Sequence, residues 1–414
     1  MAFRLRPHRE RRRGVPLEKA PAVLENLLEA MLRFWDQSLL DDEVGGYALG
    51  HDVSGRPTGG DSRHLVSQAR TAWFFARVAR SPYGDEGHLR LCEHGIRFVT
   101  DRMWDPQHGG FYWEVGPDGP RDDRKHLYGQ AFAILALSEA GVAAREPTTV
   151  ALAGELARLV DSRAHDDAYG GYVESLAADW SPEPGGGMSA LGQPTDAKTA
   201  NTHLHLMEAL TSLAHADPEA PVPRTRLPEL VLAMSDLAID RATPTYVHTH
   251  ARDWSPLEPE RRSSYGHDLE GVTLLMSACD AAGLPERMLT PLYTGLWDHA
   301  LAHGFDRDRG GFYTSGPPGR AAERRDKVWW TQAEALLSAL HMWRLTGDER
   351  YRQAFELTLG WIAEVQADLG RGDWHATIDR NGAASGDKSG AWKDPYHQGR
   401  AVLDCLELLS ASDQ

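Results

Sequence analysis

Six times along this 414-residue chain an acidic or glycine-rich turn runs into an aromatic residue, at intervals of roughly 60–75 residues. The clear copies are DDEVGGY (41–47), DPQHGGFYW (105–113), DDAYGGY (166–172) and DRDRGGFY (306–313). ATPTYVH (242–248) and DLGRGDWH (368–375) fill the gaps. This period is too long for a small solenoid repeat and suits a helical hairpin plus a working loop. Six hairpins predict a closed ring of paired helices. A ring has a mouth where loops gather, and the mouth is where chemistry sits.

Helical periodicity dominates between the turns, so the expected class is all-α. Apolar residues recur at three and four in AVLENLLEAMLRFW (22–35), LYGQAFAILALSEA (127–140), THLHLMEALTSLA (202–214), LEGVTLLMSACDAAG (269–283), WWTQAEALLSALHMW (329–343) and YRQAFELTLGWIAEV (351–365). Gly141, Gly283 and Gly347 stand where C-caps belong. Short alternating runs such as FYWEV (111–115) read as small hairpins on the loops. No Pro/Ser-rich linker interrupts the repeat, so residues 17–414 read as one domain. The basic residues at 4–13, with no apolar segment behind them, make 1–16 a flexible tail. The longest irregular stretch, 179–198, reads as a lid or cavity wall.

The formal charge of −16 disfavours nucleic acid and anionic membranes as partners. Three scattered cysteines, Cys92, Cys279 and Cys405, form no disulfide or metal pattern and fit a reducing, cytoplasmic setting. No run of 18 apolar residues marks a membrane span. Neither HExxH nor Cys/His ligand spacing is present, so no metal or other cofactor is expected. A monomer or homodimer is expected.

Polar and ionisable residues gather at six helix starts: Ser62-Arg63-His64, Lys125-His126-Leu127-Tyr128, the stretch from Lys198 to His205, the stretch from Ser264 to Glu270, Trp329 to Glu334, and Trp392 to His397. In a helical ring these starts converge on one cavity. Asn201 and His205, four apart, share a helix face, whereas His203 and His205 point apart. His267 and Glu270, three apart, let a carboxylate orient an imidazole. Trp330 and Glu334 set a stacking plate beside an acceptor. Histidines serve as acid and base near neutrality, and arginine steadies a developing oxyanion. That inventory suits proton abstraction beside a sugar carbonyl.

RHLVSQAR (63–70), LYGQAFAILAL (127–137), KTANTHLHLMEALTSL (198–213), SYGHDLEGVTLL (264–275), WWTQAEALL (329–337) and KSGAWKDPYHQGR (388–400) together resemble the sugar 2-epimerase superfamily of N-acylglucosamine 2-epimerases. NTHLH, SYGHD and WK-PYH most resemble its cellobiose 2-epimerases and mannose-isomerising or mannose-epimerising members. The resemblance spans the chain from about residue 20 and implies an (α/α)6 barrel acting without a cofactor on a mono- or disaccharide. It implies His397 and His267 as the two acid/bases at C2 and Glu270 as orienter of a histidine. His205 and Asn201 would bind near C1–C2, and Arg63, with Tyr128 nearby, would steady the enediolate. Trp330, Glu334 and Trp392 would contact substrate. Two departures stand out. Thr273 replaces a usual tryptophan, which weakens the case for a disaccharide, and Asp394 and Gln398 replace cysteine and asparagine. The rival readings are mannose–fructose isomerisation or mannose–glucose epimerisation, an inverting glycoside hydrolase using Glu270 and Glu334, and a non-enzymatic sugar- or protein-binding role.

Overall fold

The computed structural model describes residues 14–411 apart from 37–38, 42–43, 184–185 and 258–260. The basic run at 4–13 lies outside the described residues. Residues 14–16, placed in the tail from sequence, are pinned: Val15 N donates to Glu356 O at 2.9 Å.

Twelve α-helices alternate between an inner and an outer layer among the described residues. The inner helices are α2 (Leu65–Arg80), α4 (Leu127–Ala144), α6 (Ala200–Ala216), α8 (Tyr265–Ala281), α10 (Trp329–Thr346) and α12 (Tyr396–Ser410). Each packs against the next, and α12 returns to α2, so the ring closes. The outer helices are α1 (Ala20–Trp35), α3 (Glu86–Phe98), α5 (Pro147–Ala164), α7 (Pro221–Leu232), α9 (Thr290–His303) and α11 (Glu349–Trp361). Each lies against at least one inner helix, with α1 covering α12. This is the (α/α)6 barrel. α4 shows why inner and outer differ: it is apolar all round because neighbours surround it. By length and composition alone it passes for a membrane span, yet most of it is buried inside the barrel.

The repeated turns are built alike. Their register is Asp, five residues, then an aromatic: Asp41/Tyr47, Asp105/Phe111, Asp166/Tyr172, Asp240/Tyr246, Asp306/Phe312 and Asp368/Trp374. The acid of the fourth copy is thus Asp240, two residues ahead of the start read from sequence. Each Asp caps its own turn. Asp105, for instance, accepts from Gln107 N (2.9 Å) and His108 N (3.2 Å). Its outer oxygen meets a cation from the start of the next inner helix. Lys125–Asp105 (2.7 Å), Lys198–Asp166 (3.0 Å), Lys327–Asp306 (2.9 Å) and Arg63–Asp41 (2.5 Å) are buried versions. In the fourth copy the partly exposed Arg261 takes this role, and in the sixth Lys388 does.

Five residues beyond the buried cation, a second side chain grips the aromatic residue's backbone. Gln130 accepts from Phe111 N (2.9 Å) and donates to Phe111 O (2.8 Å); Gln68 and Gln332 do the same for Tyr47 and Phe312. His203 takes this place on Tyr172 N, and Asp268, which follows Arg261 by seven residues instead of five, takes it on Tyr246 N. The grip explains the paired glycines. Gly311 has φ +75°, and a Cβ there would lie 2.5 Å from Gln332 Oε1.

Two sequence expectations change here. Gly141 does not cap α4, which runs on to Ala144 and closes on Arg145 at φ +53°. A Cβ at Gly141 would collide with Val150 of α5, so the glycine serves helix approach instead. In the irregular stretch, Trp180 is no cavity wall: its Nε1 donates to the carbonyls of His108 and Gly109, covering the neighbouring turn.

Candidate active site

Two residues beyond each of these five grips, the inner helices carry Arg70, Phe132, His205, Glu270 and Glu334, and Arg400 joins them two residues beyond Gln398 on α12; all but Phe132 are polar and all are buried. The repeat that is uniform at the rim becomes mixed here. Arg400 is the hub. Its Nη2 lies 2.6 Å from Glu334 Oε2 and 3.1 Å from Glu270 Oε1, and its Nη1 2.6 Å from Glu208 Oε1. Glu208 in turn holds His205 Nδ1 (2.9 Å) and accepts from the Tyr396 hydroxyl. His205 Nε2 is 3.8 Å from Glu270. Arg70 stacks 4.0 Å over the Phe132 ring and donates to the Tyr128 hydroxyl (2.8 Å), with Asp394 at 3.5 Å on its other side.

One layer nearer the mouth stand His267 and His397, both beside Trp330. Their ring centroids are 4.7 and 5.6 Å from the indole. Each has Nδ1 committed: His267 to Ser264 Oγ (2.7 Å) and His397 to Glu334 Oε1 (2.7 Å). Among the described residues Nε2 of neither ring makes a hydrogen bond, so that nitrogen is left for a ligand. Burial drives both imidazoles well below the ordinary histidine value, helped at His397 by Arg70 and Arg400. Both are therefore unprotonated at neutral pH, with one ring nitrogen carrying a lone pair. Burial pushes Glu270 and Glu334 up to about 7 against the pull of Arg400. Glu208 behaves oppositely: burial raises it, but Arg400 and His205 outweigh burial and bring it down to about 2.

Glu270, Glu334 and His397 each offer one donor atom within 4.8 Å of the others. The Arg400 guanidinium already supplies positive charge there. Carboxylates this close also lack the roughly 6.5–9.5 Å gap that an inverting hydrolase needs for its water.

The structure brings His267, His397, His205, Glu270, Glu334, Tyr128 and Trp330 into this one cluster. Asn201 lies beside the Tyr128 hydroxyl. Trp392 is 47 % exposed at the rim, its ring 6.0 Å from that of Trp113. Arg63 is not in the cluster. Its guanidinium is spent on Asp41 and the carbonyls of Gly45, Gly60 and Ser62, which makes it the first repeat's turn anchor. Arg70, seven residues on, is the arginine that faces the bore. Glu270 does not orient His267 either, since Ser264 holds that ring. Glu334 is no open acceptor, because His397 and Arg400 occupy it.

A family model described as N-acylglucosamine 2-epimerase (GlcNAc 2-epimerase) matches residues 45–401. The chain belongs to this family. It is 28 % identical over 398 residues to a cellobiose 2-epimerase of Bacteroides fragilis, covering 93 % of this chain and 97 % of that one. It is 25 % identical over 412 residues to a D-mannose isomerase of Marinomonas mediterranea, covering 95 % and 99 %. The solved cellobiose 2-epimerase of Spirochaeta thermophila superposes with a TM-score of 0.85 at 28 % identity, over 96 % of this chain and 98 % of that one.

Within this family frame, four cluster members carry no role in the sequence reading: Arg70, which that reading only notes beyond the first helix start, and Glu208, Tyr396 and Arg400. The missed signal is the register. Arg70 sits seven residues beyond the rim cation Arg63, as His205 and Glu334 do beyond Lys198 and Lys327, and Arg400 sits seven beyond Lys393, a second buried lysine of the sixth copy that pairs with Asp373.

Proposed function

We propose that this chain is a cofactor-independent carbohydrate epimerase/isomerase acting at C2 of a reducing-end sugar, with cellobiose-type 2-epimerisation as its leading reaction. The observation that carries the reading is the pair of unprotonated imidazoles beside Trp330, each held through Nδ1 so that Nε2 is left for a ligand. Once the sugar ring opens, its aldehyde acidifies the C2 proton. One imidazole removes that proton, and the electrons move toward the carbonyl oxygen as an enediolate. The nearby arginine, Arg70, is the donor that steadies this oxyanion. Return of a proton to C2 from the second imidazole, on the opposite face, gives the epimer. Delivery to C1 gives a ketose.

The weight placed on Thr273 against a disaccharide falls away. Thr273 lines a cavity with Glu208 and Arg400 on the side of the cluster away from the mouth. At the mouth, the exposed Trp392 beside Trp113 offers a second sugar ring a stacking face. Mannose–fructose isomerisation is the second reading, favoured by the similarity to D-mannose isomerases. A cytoplasmic location and a monomeric or dimeric state are proposed with it. The three buried cysteines, none in a disulfide among the described residues, fit the former.

The test is NMR of the purified protein in D₂O with cellobiose and, separately, mannose, in the presence of a chelator. Deuterium at C2 with a new epimer or ketose is the expected result and names the substrate. Absence of exchange with both sugars would sink the reading.

A further inference from the structure

The barrel has a second opening, at the end away from the mouth. A cavity of about 180 Å³ lies between the C-terminal halves of α2, α4, α6, α8 and α12. Its rim includes Arg77, Glu139 and Ser277. Its inner end includes Glu208, Thr273 and Arg400, which belong to or touch the cluster just described. Ser277 follows His267 by ten residues on α8, so along the helix it stands ~15 Å from the mouth layer. Two buried polar atoms at the inner end have no hydrogen-bond partner: Thr273 Oγ1 and Arg400 Nε. Unpartnered atoms in a polar cavity roomy enough for several waters mark a hydrated space, because leaving them dry forfeits their hydrogen bonds.

The sugar reading gives that space a purpose. Ring opening and enolisation move protons between imidazoles and sugar oxygens while the sugar itself blocks the mouth. We propose that the basal cavity is the proton-exchange route of the occupied site, linking His205 to solvent through the Glu208 carboxylate. The proposal rests on the sugar reading of the mouth. The connection is direct: His205 Nδ1 lies 2.9 Å from Glu208 Oε2, and Glu208 lines the cavity. When His205 becomes an imidazolium, its Nδ1–H bond breaks as an O–H bond forms on Glu208. That O–H bond then breaks as a cavity water becomes hydronium. A neutral imidazole and the original carboxylate remain. Glu208 is held down at about 2, so it carries the proton only in passing. Thr273, small and hydroxylated, keeps the passage open and wet where a larger apolar side chain would plug it.

The experiment follows exchange of the His205 Nδ1–H with water, by NMR of the full chain labelled with ¹⁵N-histidine. D-Mannitol, an open-chain hexitol that cannot enolise, fills the mouth. Thr273→Trp plugs the cavity, and Ser277→Leu narrows its outer wall; neither residue touches the mouth. With mannitol saturating, exchange in both variants should be at least about tenfold slower than in the natural chain. KM for the sugar should stay within about twofold. If the Trp variant fails to fold, Ser277→Leu decides alone. Equal exchange rates in all folded proteins would overturn the proposal, as would exchange in the natural chain that stops when mannitol is added. If mannitol leaves the His267 and His397 resonances unmoved, the sugar reading itself fails and takes this proposal with it.

Discussion

The rim and the bore of this barrel are made by the same six helices, seven residues apart, and obey different rules. At the rim the repeat is nearly uniform: an Asp-capped turn, a cation from the next inner helix, and a side chain gripping the aromatic residue's backbone. In the bore the equivalent positions read Arg, Phe, His, Glu, Glu and Arg. A buried ion pair repeated around a ring answers a structural need common to every repeat. Side chains that differ at equivalent positions answer to something asymmetric, namely a ligand. Position within the repeat therefore sorts residues by job better than residue type does. Arg63 and Arg70 show it, being the same amino acid on opposite sides of that division.

The harshest way to break the comparison is at the hub. Arg400 neutralises Glu208, Glu270 and Glu334 together. Arg400→Met should cost roughly 3–5 kcal/mol, because buried carboxylates lose their partner. It should also abolish turnover. Urea denaturation and the C2 exchange assay read the two effects, and a stable, active variant would show that the hub is misassigned. Next in size is His397→Asn, expected to lower kcat by about 10²–10⁴-fold with little change in stability, as for loss of a general acid/base. Near-normal kcat would remove His397 from the mechanism.

A paired substitution sharpens the division between rim and bore. Arg63→Lys places at the first rim position the residue that three other repeats use there, at Lys125, Lys198 and Lys327. It should fold and keep its kcat. Arg70→Lys removes a planar donor fork from the bore and should lower kcat about 10²-fold, the scale for losing one oxyanion donor. The opposite ranking would return Arg63 to the site.

How much of this was legible beforehand follows the same line. The ring was readable because turn and helix periodicities are local and repeat six times. His267, His397 and Glu270 were readable through family motifs, and Trp330 through its place beside Glu334 at a helix start. What escaped were partnerships across the bore. Glu208 and Arg400 are 192 residues apart yet hydrogen-bonded. No local spacing announces that Glu334 serves His397, and spacing cannot choose between Ser264 and Glu270 for His267, since each lies three residues from it. Arg63 was misread because an arginine at a polar helix start looks the same whether it faces a turn or a cavity. Only counting from rim cation to bore separates the two.

The smallest effect probes the one repeat where a histidine stands at the gripping position. His203 Nε2 accepts from Tyr172 N at 2.9 Å, and Nδ1 lies 2.7 Å from Thr199 O. Burial brings its value from 6.5 down to about 4. The unfolded chain therefore takes up a proton at this residue below about pH 6.5, while the folded chain refuses it until about pH 4. The group's contribution is complete above pH 6.5 and is lost as pH falls through that window, at ~1.4 kcal/mol per pH unit. His203→Gln installs the side chain that grips the turn in three other repeats, at Gln68, Gln130 and Gln332. At pH 7.5 the variant should match the natural chain in stability. At pH 5 it should be the more stable by about 2 kcal/mol, one histidine's share of the acid sensitivity. Parallel urea midpoints at the two pH values would mean that His203 is protonated in the folded protein, and that the third repeat's grip works differently from its neighbours'.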